Sequence, residues 1–106
     1  VISEDRLEKA LRFLAETDED FAESKVHMLR LEYATDLAKK RIFLTETGNN
    51  EERKAKAEAS DHVQTVLGSY LDAVGAFEKK RAKRATEELI VEVWRSLEAS
   101  RRQGRI

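Results

Sequence analysis

The 106-residue chain has no proline and no cysteine, and only four glycines. Without proline, no helix is cut by a missing amide donor or a ring clash. Breaks are left to glycine and to capping side chains. Without cysteine, disulfides and thiolate metal sites are excluded, and the pattern fits a reducing compartment. No run of eighteen apolar residues occurs, so no segment reads as a membrane span. The opening Val1-Ile2-Ser3-Glu4-Asp5 is acidic and lacks the apolar core of a signal peptide. The expectation is a cytoplasmic protein with no membrane partner.

What is present is charge and helix-forming residues. Charged residues make up 39% and apolar residues 41%. A charged fraction well above the usual quarter or so suits helices with wide solvated faces. The net charge is −1, but it is unevenly spread. Residues 1–36 hold ten acids and five bases, and residues 37–77 hold six of each. Residues 78–106 hold nine bases and five acids. Asymmetry of this size is the one charge signal worth following.

The strongest break is Thr47-Gly48-Asn49-Asn50. Gly48 can end a helix in the left-handed region, and Asn49 or Asn50 can cap the next one. Ser3 predicts an N-cap for a short helix over about 4–16. Thr17-Asp18-Glu19-Asp20 looks like a second cap, with acids at the positive end of a dipole. That predicts a boundary or kink, although nothing in the stretch forbids a continuous helix. A long helix then runs to about Thr47. Phe21, Met28, Leu31, Ala38 and Ile42 lie on one of its stripes, and Val26, Leu29, Tyr33, Leu37 and Leu44 on the next. Two stripes imply contact with two neighbours.

Beyond the turn, Ser60-Asp61 offers another cap. Val63, Val66, Leu67, Tyr70, Leu71, Val74 and Phe77 follow as an amphipathic stripe. Gly68 and Gly75 interrupt it, and their plain explanation is close approach of a neighbouring helix. Leu89, Val93 and Leu97 resume the pattern, with Ile90 and Trp94 beside them, to an end near Gly104. The fold class predicted is all-α, with residues 1–106 as a single helical domain. Its form is an elongated antiparallel helical hairpin turning at about 47–50, with a short N-terminal helix. It is bundle-like, coiled-coil-like in its long pairings, and oligomeric. The hairpin sets 37–47 against 50–63 and turns the acidic residues before 36 toward 70–84.

Catalytic signals are sparse. His27 and His62 are the two histidines, and HExxH is absent. Asp5 with Glu8, and Asp20 with Glu23, form two D-x-x-E pairs whose oxygens share a helix face. They could hold Mg²⁺ in an all-helical nucleotide hydrolase. The competing reading is that acids collect in first helical turns for dipole reasons. No phosphate-cradling loop or nucleophile elbow occurs. The expectation is a non-enzyme without cofactor, metal or catalytic residues.

The basic C-terminal segment is the remaining candidate. Lys79, Lys80, Arg81, Lys83 and Arg84 span six residues, and Arg95, Arg101, Arg102 and Arg105 follow. Such a helix can lie along phosphates of single- or double-stranded DNA, with Trp94 beside Arg95. Against this, Glu78, Glu87, Glu88, Glu92 and Glu98 interleave with the bases, as they do on a solvated face.

Two stretches carry a resemblance. One runs from Ala38-Lys39-Lys40-Arg41 through Gly48 to Glu52-Arg53-Lys54-Ala55-Lys56-Ala57-Glu58-Ala59-Ser60. The other is Ile90-Val91-Glu92-Val93-Trp94-Arg95-Ser96-Leu97, ending in Arg101-Arg102-Gln103-Gly104. With the helical text between them, they resemble small helical proteins of tailed phages and prophages. Genes of that group lie among replication and recombination genes, near single-strand annealing and single-strand-binding proteins. The resemblance implies an accessory role in phage DNA recombination or replication, in the host cytoplasm, and supplies no catalytic residue. The alternative is a protein-interaction module. In it the acids Asp18, Glu19, Asp20 and Glu23 mask a basic surface of a phage or host protein.

Overall fold

The computed structural model describes residues 1–104, so the basic position expected at Arg105 lies outside the described residues. Three α-helices follow in order: α1 (Glu4–Thr45), α2 (Asn50–Ala59) and α3 (Asp61–Gly104). They contribute to two units. Unit 1 joins residues 1–22 to the chain from Glu78 onward, and unit 2 is Glu23–Phe77. Helices α1 and α3 each contribute to both.

Local chemistry explains most helix ends. The amide of Arg6 donates to Ser3 Oγ (3.1 Å) and that of Leu7 to Ser3 O (3.0 Å), so Ser3 caps α1 as expected. Gly48 takes φ +114°, where an L side chain is strained. Asn49 Oδ1 accepts from the Glu52 amide at 2.9 Å and starts α2. The last turn of α1 has no basic residue of its own. Residues of α2 supply the cations there instead. Arg53 Nε donates to Phe43 O (2.9 Å), and Lys56 Nζ donates to Thr47 O (3.0 Å). Positive charge at the carbonyl end of a helix offsets its dipole.

Ser60 is extended, at φ −62° and ψ 135°, and separates α2 from α3. The break has a packing consequence. In one continuous helix, Ala57 and Val63 would lie about 120° apart around the axis. The non-helical residue resets the phase, and both side chains are buried.

The short N-terminal helix is a correction. Helix α1 runs unbroken from Glu4 to Thr45 through the acidic stretch. Thr17 is not a cap. Its hydroxyl donates to the Phe13 carbonyl at 2.7 Å, the bond of a helix-interior threonine. With neither glycine nor proline nearby, helix propensity prevails.

In unit 2 the buried residues are mostly small: Ala38, Ala57 and Ala73, with Thr35, Val63 and Phe77. Val63 is the largest side chain that is fully buried. The Phe21–Met28–Leu31–Ala38–Ile42 stripe of α1 is covered to varying degrees. Most of the adjacent stripe is not: Tyr33 is 70% and Leu44 75% exposed, with Val26 and Leu29 nearly half exposed. One stripe of α1 is thus met by the chain itself and the other is largely open.

Gly68 and Gly75 are a second correction. A Cβ at either would meet nothing within 4 Å among the described residues, so no neighbouring helix described approaches closely there. Alanine should therefore stabilise α3 at both sites. Gly68→Ala and Gly75→Ala are each expected to raise unfolding free energy by about 1 kcal/mol. Gly48→Ala is expected to lower it by about 1–2 kcal/mol, because its φ is positive. Urea denaturation followed by circular dichroism measures all three. A loss of stability at Gly68 or Gly75 would contradict the open environment described.

Candidate nucleic-acid interface

The basic residues of α3 divide by what they touch. In unit 1 the first part of α1 runs antiparallel to α3, and Arg84 lies at the centre of their contact. Its side chain is only 12% exposed. Nη1 donates to Leu14 O (3.0 Å) and to Thr17 Oγ1, and Nη2 donates to Asp18 Oδ1. The guanidinium carbon stands 5.1 Å from the centre of the Phe21 ring. A rigid planar fork suits such a set of acceptors better than an ammonium does. Lys80 Nζ pairs with Asp20 at 2.9 Å. Lys83 Nζ sits 5.0 Å from the centre of the Phe13 ring. Part of the basic run thus neutralises acids on α1, as the antiparallel hairpin predicts.

The remaining candidates face outward. Arg81 pairs with Glu78 one turn back, at 2.7 Å, and remains well exposed. Arg95 lies 3.8 Å from Glu92, with 73% of its side chain exposed. Arg101 pairs with Glu98 at 2.8 Å. Lys79 and Arg102 are exposed, and neither has an ion-pair partner among the described residues. Arg95 and Arg102 are seven residues apart on α3, so they share a helix face about 10 Å apart. Leu89 and Leu97 are substantially exposed near this segment, while Trp94 is half-buried.

Arg6 and Glu87 form the other inter-helix pair of unit 1. Two guanidinium nitrogens each stand 2.8 Å from one carboxylate oxygen. The hydrogen bond goes to Glu87 Oε1; Oε2 is buried and accepts none, and its ion-pair contact among the described residues is with the same guanidinium. The hydrogen bond from Arg6 holds the Glu87 carboxyl below its ordinary value. Desolvation opposes that shift, and the charges of Arg6 and Lys83 reinforce it. The same bond raises the guanidinium of Arg6. The sequence marks Glu87 only as one acid among the bases; its role depends on a partner 81 positions away.

Other constellations have less to offer. Asp5 pairs with Lys9 and Glu8 with Arg12 within one helix, and Asp20 is taken by Lys80. Among the described residues, no group of three or more His, Asp or Glu side chains converges as a metal site would need. His27, Ser69 and Asp72 border one shallow groove of unit 2. Ser69 Oγ donates along its own helix to Thr65 O at 3.3 Å, so the three do not form a hydrogen-bonded relay. No helix among the described residues is long and apolar enough to cross a membrane.

The Glu87 contact predicts a pH dependence. Its carboxyl is depressed in the folded chain, so the unfolded chain binds the proton more readily. Its stabilising contribution is therefore full above the ordinary value of 4.5 and lost as pH falls below that. Glu87→Gln should be less stable than the parent at neutral pH, and the gap should close as the medium is acidified. Urea midpoints measured by Trp94 fluorescence from neutral to acid pH check this; a gap that does not narrow would contradict it. The chain matches no protein-family model, no curated protein and no solved structure.

Proposed function

We propose that the protein is a non-enzymatic accessory factor of phage DNA recombination or replication, binding nucleic acid through the outward basic residues of α3. The observation that carries this reading is the division of the basic segment. Lys80 and Arg84 are engaged by α1, whereas Lys79, Arg95 and Arg102 are exposed. Long flexible cations on one helix can neutralise successive phosphates without reading sequence. Arg84 then acts as a positioning residue for unit 1, and Arg101 extends the track. The phage setting rests on the resemblance of the stretches 38–60 and 90–104.

A second reading is favoured by a separate observation. The open stripe of α1, with Tyr33 and Leu44 largely exposed, suits a protein partner or self-association. In that reading the acidic contribution narrows to Glu19 and Glu23, because Asp18 and Asp20 already have cationic partners.

Binding of labelled single-stranded DNA, measured by fluorescence anisotropy across a salt series, separates these readings. Nucleic-acid binding predicts affinity that falls steeply with salt. Replacing Arg95, Arg101 and Arg102 together with alanine should flatten the log–log slope by about 2, at roughly 0.7 per phosphate contact. Absence of salt-sensitive binding below ~0.1 M salt would overturn the nucleic-acid reading.

A further inference from the structure

Unit 2 contains a hollow that the basic surface of α3 does not involve. Its volume is about 240 Å³, and it is lined by Lys39, Lys40 and Phe43 of α1 with Lys54, Ala57 and Glu58 of α2. The turn at Gly48 brings these two helices together. The hollow has three properties that together point to one class of ligand.

The first is an aromatic wall held in place. The Arg53 guanidinium carbon lies 4.1 Å from the centre of the Phe43 ring, and Arg53 Nε donates to the Phe43 carbonyl at 2.9 Å. Phe43 is therefore clamped by the next helix, with Arg53 over one face of its ring, and is a lining residue of the hollow. The second is a small apolar floor. Ala57 is buried and brings no bulk, so a flat group can approach the ring.

The third is unneutralised positive charge. Lys39, Lys40 and Lys54 have no ion-pair partner among the described residues. Lys56, two residues from Lys54, pairs with Glu46 and caps the Thr47 carbonyl. Acids are thus available at this end of the unit, yet the three lysines of the hollow remain unpaired. Glu58 is the one acid of the lining, and it does not reach ion-pair distance from any of them. Three ammonium groups beside one carboxylate leave a net positive rim.

We infer that this hollow is a nucleoside-phosphate site, with Phe43 stacking against the base and Lys39, Lys40 and Lys54 binding the phosphate. Inorganic phosphate satisfies the rim but not the wall. An uncharged aromatic satisfies the wall but not the rim. A nucleoside phosphate satisfies both, and stacking on an aromatic face is tolerant of base identity. Glu58 can accept a hydrogen bond from a sugar hydroxyl or an exocyclic amine. The ligand is either a free mononucleotide or one unit of a single strand. The site does not require the α3 surface to bind nucleic acid.

The test is an amide-resolved NMR titration of the full chain with adenosine monophosphate, adenosine, inorganic phosphate, hexanoate and a short single-stranded oligonucleotide. The monophosphate should shift amides of residues 39–58 and bind at least about tenfold more tightly than adenosine, phosphate or hexanoate alone. Phe43→Leu and Lys54→Gln should each weaken it by about five- to tenfold, whereas Arg102→Ala should leave it unchanged. Lys54 is exposed, so its variant carries the test if the Phe43 variant does not fold. An oligonucleotide that displaces the monophosphate assigns the site to a strand, and one that does not assigns it to the free nucleotide. The inference is overturned if the monophosphate leaves residues 39–58 unshifted. It is also overturned if phosphate or hexanoate binds equally well, or if Arg102→Ala abolishes the shifts.

Discussion

Ionic pairing between α1 and α3, mostly of α1 acids with α3 bases, is the interaction on which unit 1 depends. Ala10 is the one buried residue of that unit among those described. Leu11, Leu89, Val93 and Leu97 remain substantially exposed, so apolar burial alone gives the helices little reason to stay in register. Register comes instead from Arg84 on Leu14, Thr17 and Asp18, from Lys80 on Asp20, and from Arg6 on Glu87. These contacts are not equal. Exposed pairs such as Lys80–Asp20 contribute up to about 1 kcal/mol. A hydrogen bond from a charged group that is withdrawn from water contributes more, about 1.5–3 kcal/mol. Arg84 is the candidate for that larger contribution, because its fork is nearly buried and reaches a backbone carbonyl as well as side chains.

The same pairing decides what is left for a ligand. A cation that completes unit 1 cannot also neutralise a phosphate without breaking a contact between helices. The basic segment therefore separates into an inward part around Lys80 and Arg84 and an outward part that includes Lys79, Arg95 and Arg102. Unit 2 distributes its charge differently. Arg53 and Lys56 close the carbonyl end of α1, while Lys39, Lys40 and Lys54 line the hollow with Phe43 and have no carboxylate partner among the described residues. Cations with a structural task and cations without one thus stand side by side in both units, and the unengaged ones mark the candidate binding surfaces.

Features set by neighbouring residues were legible in the sequence. Ser3, Gly48, Asn49 and Ser60 punctuate the helices because capping and positive φ are local properties. The all-helical class and the facing of acids by bases across an antiparallel pair follow from the same text. Features set by distant partners were not legible. Thr17-Asp18 reads as a cap, yet it is the acceptor set for Arg84, some 67 residues away in sequence. Gly68 and Gly75 suggest a close neighbour, but a glycine records only the missing side chain and not what stands opposite it. The run from Lys79 to Arg84 looks uniform as text, and only the helix phase against α1 turns Arg84 inward and Lys79 outward. The hollow at Phe43 needs Ala57 across the turn, and no spacing along the chain announces it.

A double-mutant cycle on Asp18 and Arg84 tests the central claim most directly. Asp18→Asn, Arg84→Gln and the double variant would be compared with the parent by urea denaturation, read through Trp94 fluorescence. If acids of α1 and bases of α3 hold unit 1 together, the two substitutions couple by at least about 0.5 kcal/mol. Free energies that add to within about 0.3 kcal/mol would contradict the account, because Arg84 would then stabilise the fold without its acid.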